Sequence, residues 1–222
     1  TRTFNRILPI LPAAMVNGRF VLLGEVEERL AMYEHAVDYQ SKNATFDRRQ
    51  IRQEILGTLI EQAVVIDLLR QNKVDESKPE VEEYYRYVSD DFQDDFEVIF
   101  GTSEKEFQEN VVLPDLRSKI LQSSVLLQAG DSAAFREARN VKNLLDQGLD
   151  FSEAVKIYSQ DEDSKYLGGD LGFFLQDEIN PWLKDAALSL AASTTSNVVV
   201  SPEGYHILRK AGEDPGPPER IH

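Results

Sequence analysis

The sequence has 222 residues, 41% of them hydrophobic, which is enough to bury a core and excludes wholesale disorder. Its 39 acidic and 24 basic side chains give a formal net charge of -15, which argues against binding to nucleic acid or to anionic lipid headgroups. The lack of cysteine excludes disulfides, thiolate nucleophiles and cysteine-ligated metals, and no apolar run reaches the roughly 18 residues of a membrane span.

A hairpin and a helix are predicted near the start of the chain. Residues 7–23 have the pattern of two short extended pieces, because Asn17-Gly18 is a typical hairpin turn signal between them. Apolar residues recur at helical spacing after Gly24, which predicts a helix over 25–39.

Three more helices are predicted in the first half of the chain. Asp47 suits the N-cap of a long helix over 48–72, and a proline opens a further helix over 79–92. A capping pattern at residues 102–106 precedes a last helix that ends near residue 121, in which Pro114 should cause a kink or a restart. Residues 1–122 are therefore predicted to form a mostly helical domain.

The sequence pattern changes after residue 122. Residues 124–127 form a short β-like run, and three later segments have helical periodicity. These helices are predicted over 133–147, 150–158 and 182–191. Two strands, 198–200 and 205–208, are joined by a loop that contains Pro and Gly, which predicts a hairpin.

Three motifs stand in this second half: residues 148–159, residues 168–174 (GGDLGFF) and residues 204–208 (GYHIL). In this order and spacing they resemble the parvulin-type, PpiC-like family of prolyl isomerases, or rotamases. The resemblance implies a parvulin-like domain over 123–211, with a four-stranded antiparallel sheet flanked by helices, and an irregular tail over 212–222. The chain as a whole is therefore expected to belong to the α+β class.

The first half carries a second resemblance. Val16-Asn17-Gly18 and the helical segment 25–30 resemble the opening of the N-terminal domain of SurA-type periplasmic chaperones and related secretion foldases. This implies a chaperone domain over 1–122 and an extracytoplasmic location, in the periplasm or cell envelope. Because the sequence opens on Thr1 rather than Met, a signal or anchor ahead of it is expected to be missing, and membrane attachment is expected only through such a segment.

The parvulin resemblance implies a defined chemistry. Rotation about a peptide bond faces a barrier of about 18–20 kcal/mol, although an X-Pro bond prefers trans over cis only weakly. An apolar pocket that holds the proline ring, with polar groups that favour the twisted amide, lowers this barrier without a covalent step, a metal or a cofactor. The expected clients are unfolded or partly folded exported proteins that contain X-Pro bonds.

The family's functional positions fall on six residues here. The apolar wall corresponds to Leu171, Ile179 and Leu183, and the polar set corresponds to Asp161, Ser201 and His206. Parvulins commonly place a second histidine on the first strand, where this sequence has Val125, so His206 is expected to lack the partner that would fix its tautomer. Leu183 stands where the family usually has Phe, which implies a shallower floor under the proline ring.

These departures leave a second function open. A parvulin fold that has lost turnover would act as a holdase or assembly chaperone, and a scaffold subunit bound to one partner is a third reading. The three apolar residues are also compatible with ordinary core packing.

Two further features each allow a functional interpretation and a purely structural one. Residues 161–163 form either a calcium loop or, since no EF-hand spacing follows, a solvated acidic loop. Residues 84–87, with three tyrosines, either line a client groove or pack a helix.

Overall fold

The computed structural model divides the chain into two compact units, Thr1–Leu121 and Gln122–His222. The residues that it describes are 10–41, 45–76, 81–89, 96–214 and 220–222. Parts of three predicted segments lie outside the described residues, namely 7–9 of the first extended piece, 79–80 and 90–92 of a helix, and 215–219 of the tail. Within the described ranges, no helix has both the length and the apolar character needed to cross a bilayer.

The predicted hairpin is present. Strand β1 (Pro12–Val16) pairs antiparallel with β2 (Arg19–Leu22), and Val16 lies opposite Arg19 next to the turn. Asn17 and Gly18 have φ values of 50° and 85°, the left-handed conformations that a two-residue hairpin turn favours. The Asn-Gly signal therefore predicted both the turn and its position.

The rest of the first unit is helical, as predicted. Its elements are α1 (Leu23–Gln40), α2 (Arg48–Gln71), α3 (Val81–Ser89), α4 (Phe96–Phe100), α5 (Glu104–Phe107), a wide π-helical turn (Gln108–Val112) and α6 (Leu113–Gln128). The Asp47 carboxylate accepts a hydrogen bond from Arg49 N at 2.8 Å and so caps α2. The wide turn ends just before Pro114, where the missing N–H was expected to interrupt the helix.

The core of the first unit joins the hairpin to the two long helices. Val21 of β2, Val26 of α1, and Leu59 and Ala63 of α2 form one buried apolar cluster. Across the same helices, Arg52 donates two hydrogen bonds to the Glu27 carboxylate, at 2.8 and 2.9 Å.

The tyrosines of α3 were expected either to line a client groove or to pack the helix. Tyr84 and Tyr85 are buried, and only Tyr87 is exposed. Helix packing therefore accounts for Tyr84 and Tyr85.

The second unit combines helices with short strands. Its elements after α6 are α7 (Ala133–Asp146), α8 (Phe151–Tyr158), α9 (Glu162–Lys165), α10 (Pro181–Ser189), β3 (Val199–Ser201), β4 (Gly204–His206), β5 (Glu213–Asp214) and β6 (Arg220–Ile221). The three longer helices and the β3–β4 hairpin were all predicted, within one to two residues at most ends. The unit is thus of mixed α and β structure, as expected.

Two parts of the predicted sheet are not found. The described strands form separate two-stranded ladders, β3 with β4 and β5 with β6, so the four-stranded sheet is not shown. Residues 124–127, predicted as β-like, lie in the last turns of α6 instead. Leu and Gln have high helix propensity, and extending an existing helix requires no new nucleation, so the helix continues through this apolar run.

The tail is also more regular than predicted. Glu213 pairs with Ile221 in the β5–β6 ladder, and Ile221 exchanges backbone hydrogen bonds with Phe174, both of 2.8 Å. The His222 ring stacks on Phe173 at 4.4 Å between centroids and bonds to the Asp170 carboxylate. The end of the chain is therefore held against the GGDLGFF loop.

Candidate active site

The β3–β4 hairpin brings together two of the predicted polar residues. Its register places His206 opposite Val199 and Gly204 opposite Ser201. Because side chains alternate along a strand, Ser201 and His206 project from the same face on a diagonal. Ser201 Oγ lies 2.7 Å from His206 Nε2, so the two side chains are in direct hydrogen-bond contact.

The buried hydroxyl of Ser201 has a complete set of partners. It donates to Glu203 Oε2 at 2.6 Å and accepts from Glu203 N at 3.0 Å. A hydroxyl has one hydrogen and an ionised carboxylate only accepts, so the contact with the imidazole is a donation from His206 Nε2–H to Ser201 Oγ. Ser201 therefore fixes the tautomer of His206, which the sequence alone had left without a partner.

The charge state of His206 follows from its surroundings. Burial lowers the pKa of His206 below its ordinary value, while the negative charges of Glu203 and Asp161 act in the opposite direction. Burial is the largest of these effects, so the imidazole is neutral at neutral pH. The ring then carries its one N–H proton on Nε2, toward Ser201.

The lowered pKa of His206 predicts an acid-sensitive second unit. The unfolded chain, in which a histidine has a pKa of about 6.5, binds the proton more readily than the folded chain. The stability that the neutral His206 imidazole contributes is therefore present in full above about pH 6.5. It is lost as the pH falls through the lower pKa of the folded state. Urea unfolding at pH 7.5 and at pH 5 should show a smaller loss for His206→Gln than for the wild type. An equal loss in both proteins would contradict a half-buried, neutral imidazole in the folded state.

Asp161 stands in a supporting position. Its carboxylate caps α9, accepting from Asp163 N at 3.2 Å and from the Ser164 hydroxyl. It is exposed, and it influences His206 through its charge. The predicted three-membered hydrogen-bonded set is therefore a bonded pair, Ser201 and His206, with a carboxylate nearby. Residues 161–163 serve as a helix cap, and no three described acidic or histidine side chains are grouped to hold a metal ion.

The predicted apolar wall is distributed over a loop and a helix. Leu171 lies in the GGDLGFF loop with 58% of its surface exposed, and Ile179 and Leu183 are half-buried. Leu183 belongs to the first turn of α10, which Asn180 caps by accepting from Trp182 N at 3.0 Å. Because more than half of its surface is exposed, Leu171 is not packed in a core.

Two features of the site were not predicted. Glu203 was placed only in the hairpin loop, although the bond from its backbone N–H to the hydroxyl of Ser201, two residues earlier, follows a common local pattern of serine side chains. Tyr166 and Leu167, just before the GGDLGFF loop, expose 87% and 69% of their surfaces. Such exposure of large apolar side chains depends on packing and has no sequence signal.

The position assigned to the family's second histidine lies outside the hairpin face. Val125 is on α6, not on a strand, and 58% of it is exposed. The neighbouring carbonyl of Leu126 accepts a hydrogen bond from the Tyr205 hydroxyl at 3.1 Å. In this structure, the partner of the His206 imidazole is Ser201 of the same hairpin.

Comparison with known proteins finds a family match for part of the chain. Residues 120–212 match the model of the rotamase family described as the PPIC-type PPIASE domain. The foldase protein PrsA 2 of Bacillus anthracis is 43% identical over 77 residues, which are 35% of this chain and 27% of that protein. The foldase protein PrsA 2 of Bacillus cereus is 30% identical over 147 residues, 65% of this chain and 50% of that protein. The chain thus spans half or less of the length of these two relatives.

A crystal structure of the peptidylprolyl isomerase PrsA from Bacillus anthracis is 26% identical, with a TM-score of 0.34, over 70% of this chain and 77% of that one. The alignment with the Bacillus cereus protein is longer than the span that matches the rotamase family. The resemblance of residues 1–122 to SurA-type chaperones is not tested by these matches and stays a prediction.

Proposed function

We propose that this chain, whose residues 120–212 are a parvulin-type domain, is a peptidyl-prolyl cis-trans isomerase that assists the folding of exported proteins. The observation that carries the proposal is the neutral, oriented His206 on the hairpin of a PPIC-type domain. The names of the two foldase relatives support a role in protein folding. The clients would be unfolded or partly folded chains with X-Pro bonds, met outside the cytoplasm, and residues 1–122 would add a chaperone domain.

The proposed mechanism needs no covalent intermediate. The proline ring of the client would lie against Leu171, Ile179 and Leu183, which removes apolar surface from water. As the X-Pro bond twists it loses amide resonance, and the charge redistribution in the twisted state is then stabilised by neighbouring polar groups. Binding the twisted amide better than the planar one is what accelerates rotation.

The polar residues have distinct parts in this proposal. Ser201 is fully buried and its hydrogen-bonding capacity is used within the chain, so it acts as a positioning residue for His206. His206 is the polar group offered to the twisted amide, and because its Nε2–H donates to Ser201, it offers the lone pair of Nδ1. Asp161, which is exposed, raises the negative potential around the imidazole.

An isomerase assay on a proline tetrapeptide of the Ala-Pro-Phe type tests the proposal. The wild-type chain should accelerate the cis-to-trans exchange above the uncatalysed rate, and His206→Ala should lower kcat/KM by about a hundredfold, the lower end of the range expected for loss of one polar catalytic group. His35→Ala is the matched control, because His35 lies in the other unit and bonds to the Val98 carbonyl at 3.0 Å. A wild-type chain without acceleration would exclude the enzymatic function.

A holdase without turnover is the second candidate. The observation that favours it is the exposure of large apolar side chains in the second unit, above all Tyr166, Leu167 and Ile157. In that case the full chain suppresses aggregation of a denatured client, His206→Ala suppresses it equally well, and neither protein accelerates the peptide. The two assays together therefore separate the candidates.

A further inference from the structure

The first unit contains a partly open cavity. Its volume is about 210 Å³, and its walls come from β2, α1, α2 and the region where the π-helical turn meets α6. Small-molecule pockets commonly measure about 300–1,000 Å³, so this cavity suits a single residue of a peptide rather than a larger ligand. It lies in a different unit from the His206 hairpin.

The charged residue that defines the cavity is Arg29. Its Nη2 donates to Gln62 Oε1 at 3.0 Å, whereas its Nε is buried without a hydrogen-bond partner. A guanidinium keeps its charge under all ordinary conditions, so Arg29 is a partly buried cation. No described carboxylate lies within ion-pair distance of it. Buried cations are normally paired, and an unpaired one leaves room for an external anion.

The other charges in the wall are mostly engaged elsewhere. Arg117 pairs with Glu76 at 2.9 Å, and Glu109 pairs with Lys105 at 3.8 Å. The Glu25 carboxylate accepts from Leu22 N at 2.6 Å and caps α1, and its negative charge also acts on Arg29 without forming an ion pair with it. Arg19 is the second arginine of the wall, and it forms no ion pair with any described residue. Arg29 and Arg19 therefore leave positive charge available at the cavity.

The nature of the wall selects the kind of anion. Phe20, Leu59 and Ile66 provide apolar surface beside Arg29, which suits a ligand with a carboxylate and an apolar group close together. Two carboxylates in the wall, Glu25 and Glu109, disfavour a doubly charged phosphate. The last residue of a peptide fits this description, since its carboxylate and its side chain are attached to the same Cα atom.

We propose that this cavity, here called the Arg29 cavity, binds the C-terminal carboxylate of an unfolded peptide that ends in an apolar residue. The Arg29 guanidinium binds the carboxylate, Arg19 adds to the attraction, and the apolar wall accepts the last side chain. The site selects chain ends and does not require a proline. It is therefore independent of the isomerase function proposed for the second unit.

Fluorescence anisotropy with the full chain and labelled, proline-free hexapeptides tests this site. One peptide ends in leucine with a free carboxylate, a second is the same peptide amidated, and a third is amidated with one internal glutamate. We expect the free acid to bind at least tenfold more tightly than either amide. Equal affinity for the acid and its amide would overturn the site, and tight binding of the glutamate peptide would overturn the assignment to a chain end.

Three variants test whether the preference for a free carboxylate arises at the Arg29 cavity. Arg29→Gln should abolish the difference between acid and amide, and Arg19→Gln, which changes an exposed side chain and preserves the core, should reduce it severalfold. Arg49→Gln is the matched control, because it removes the same charge from an exposed position on α2 outside the cavity. If Arg49→Gln and Arg29→Gln reduced the difference between acid and amide equally, the preference would come from the net charge of the chain. If Arg19→Gln left the difference unchanged, the peptide would bind at another surface.

Discussion

Replacement of Gly169 by alanine is expected to lower the free energy of unfolding of the second unit by about 2–5 kcal/mol. Gly169 has a φ of +85°, and a Cβ atom there would lie 2.9 Å from Val155 Cγ2 and 3.2 Å from Phe151 Cε1. The left-handed conformation costs an L-residue roughly 1–2 kcal/mol. Overpacking against α8 adds about 1–3 kcal/mol. Urea unfolding followed by the fluorescence of Trp182, the one tryptophan of the sequence, measures the loss.

The same loop offers a matched control. Gly172 has a φ of +83°, but a Cβ atom at this position would meet nothing within 4 Å. Gly172→Ala therefore carries only the conformational cost, about 1–2 kcal/mol. If the two variants lost the same stability, the close approach of Gly169 to α8 would not exist.

This contact explains why two of the family motifs occur together. Phe151 and Val155 belong to the first motif, at residues 148–159, and Gly169 belongs to the GGDLGFF loop. The missing side chain of Gly169 lets the loop backbone lie directly on α8. Leu171, the candidate for contact with the proline ring, is then held two residues beyond this contact.

Replacement of Leu69 by alanine is expected to destabilise the first unit by about 2–5 kcal/mol. The Leu69 side chain on α2 is fully buried, and removal of its three outer carbons leaves a cavity that the packed helices fill only partly. Because Trp182 reports on the other unit, far-UV circular dichroism during urea unfolding is the suitable measurement.

Leu68 provides the comparison for Leu69. It is the preceding residue of the same helix, the substitution is the same, and 37% of its surface is already exposed. Leu68→Ala should cost about 1 kcal/mol or less, since less apolar surface is returned to water and no closed cavity forms. Equal losses for the two variants would mean that α2 does not direct Leu69 into the core.

The geometry of the hairpin changes how its polar residues are interpreted. From the sequence, Ser201 and His206 were equivalent members of a polar set, and Val125 implied that the imidazole lacked an orienting partner. In the structure, Glu203 takes the proton of the Ser201 hydroxyl, which leaves the hydroxyl to accept from His206. The proposed isomerase therefore depends on an imidazole oriented from within one hairpin.

The sequence by itself determined the features that depend on neighbours along the chain. The Asn17-Gly18 turn, the Asp47 cap and the Ser103–Glu106 capping box all formed where they were predicted. In each of them the partners are at most a few residues apart, so no tertiary contact is needed to satisfy the backbone groups. The family motifs were recognised as short runs of residues in the order and spacing of the parvulin family.

Only the tertiary structure decided the features that join distant residues. Three features depend on which elements pack together. They are the close contact of Gly169 with α8, the pairing of Ile221 with Phe174, and the guanidinium Nε of Arg29 that has no hydrogen-bond partner. Burial decides whether a position has room only for glycine and whether a charge is left without a partner. The sequence does not determine these features by itself, because burial is a property of the packed chain.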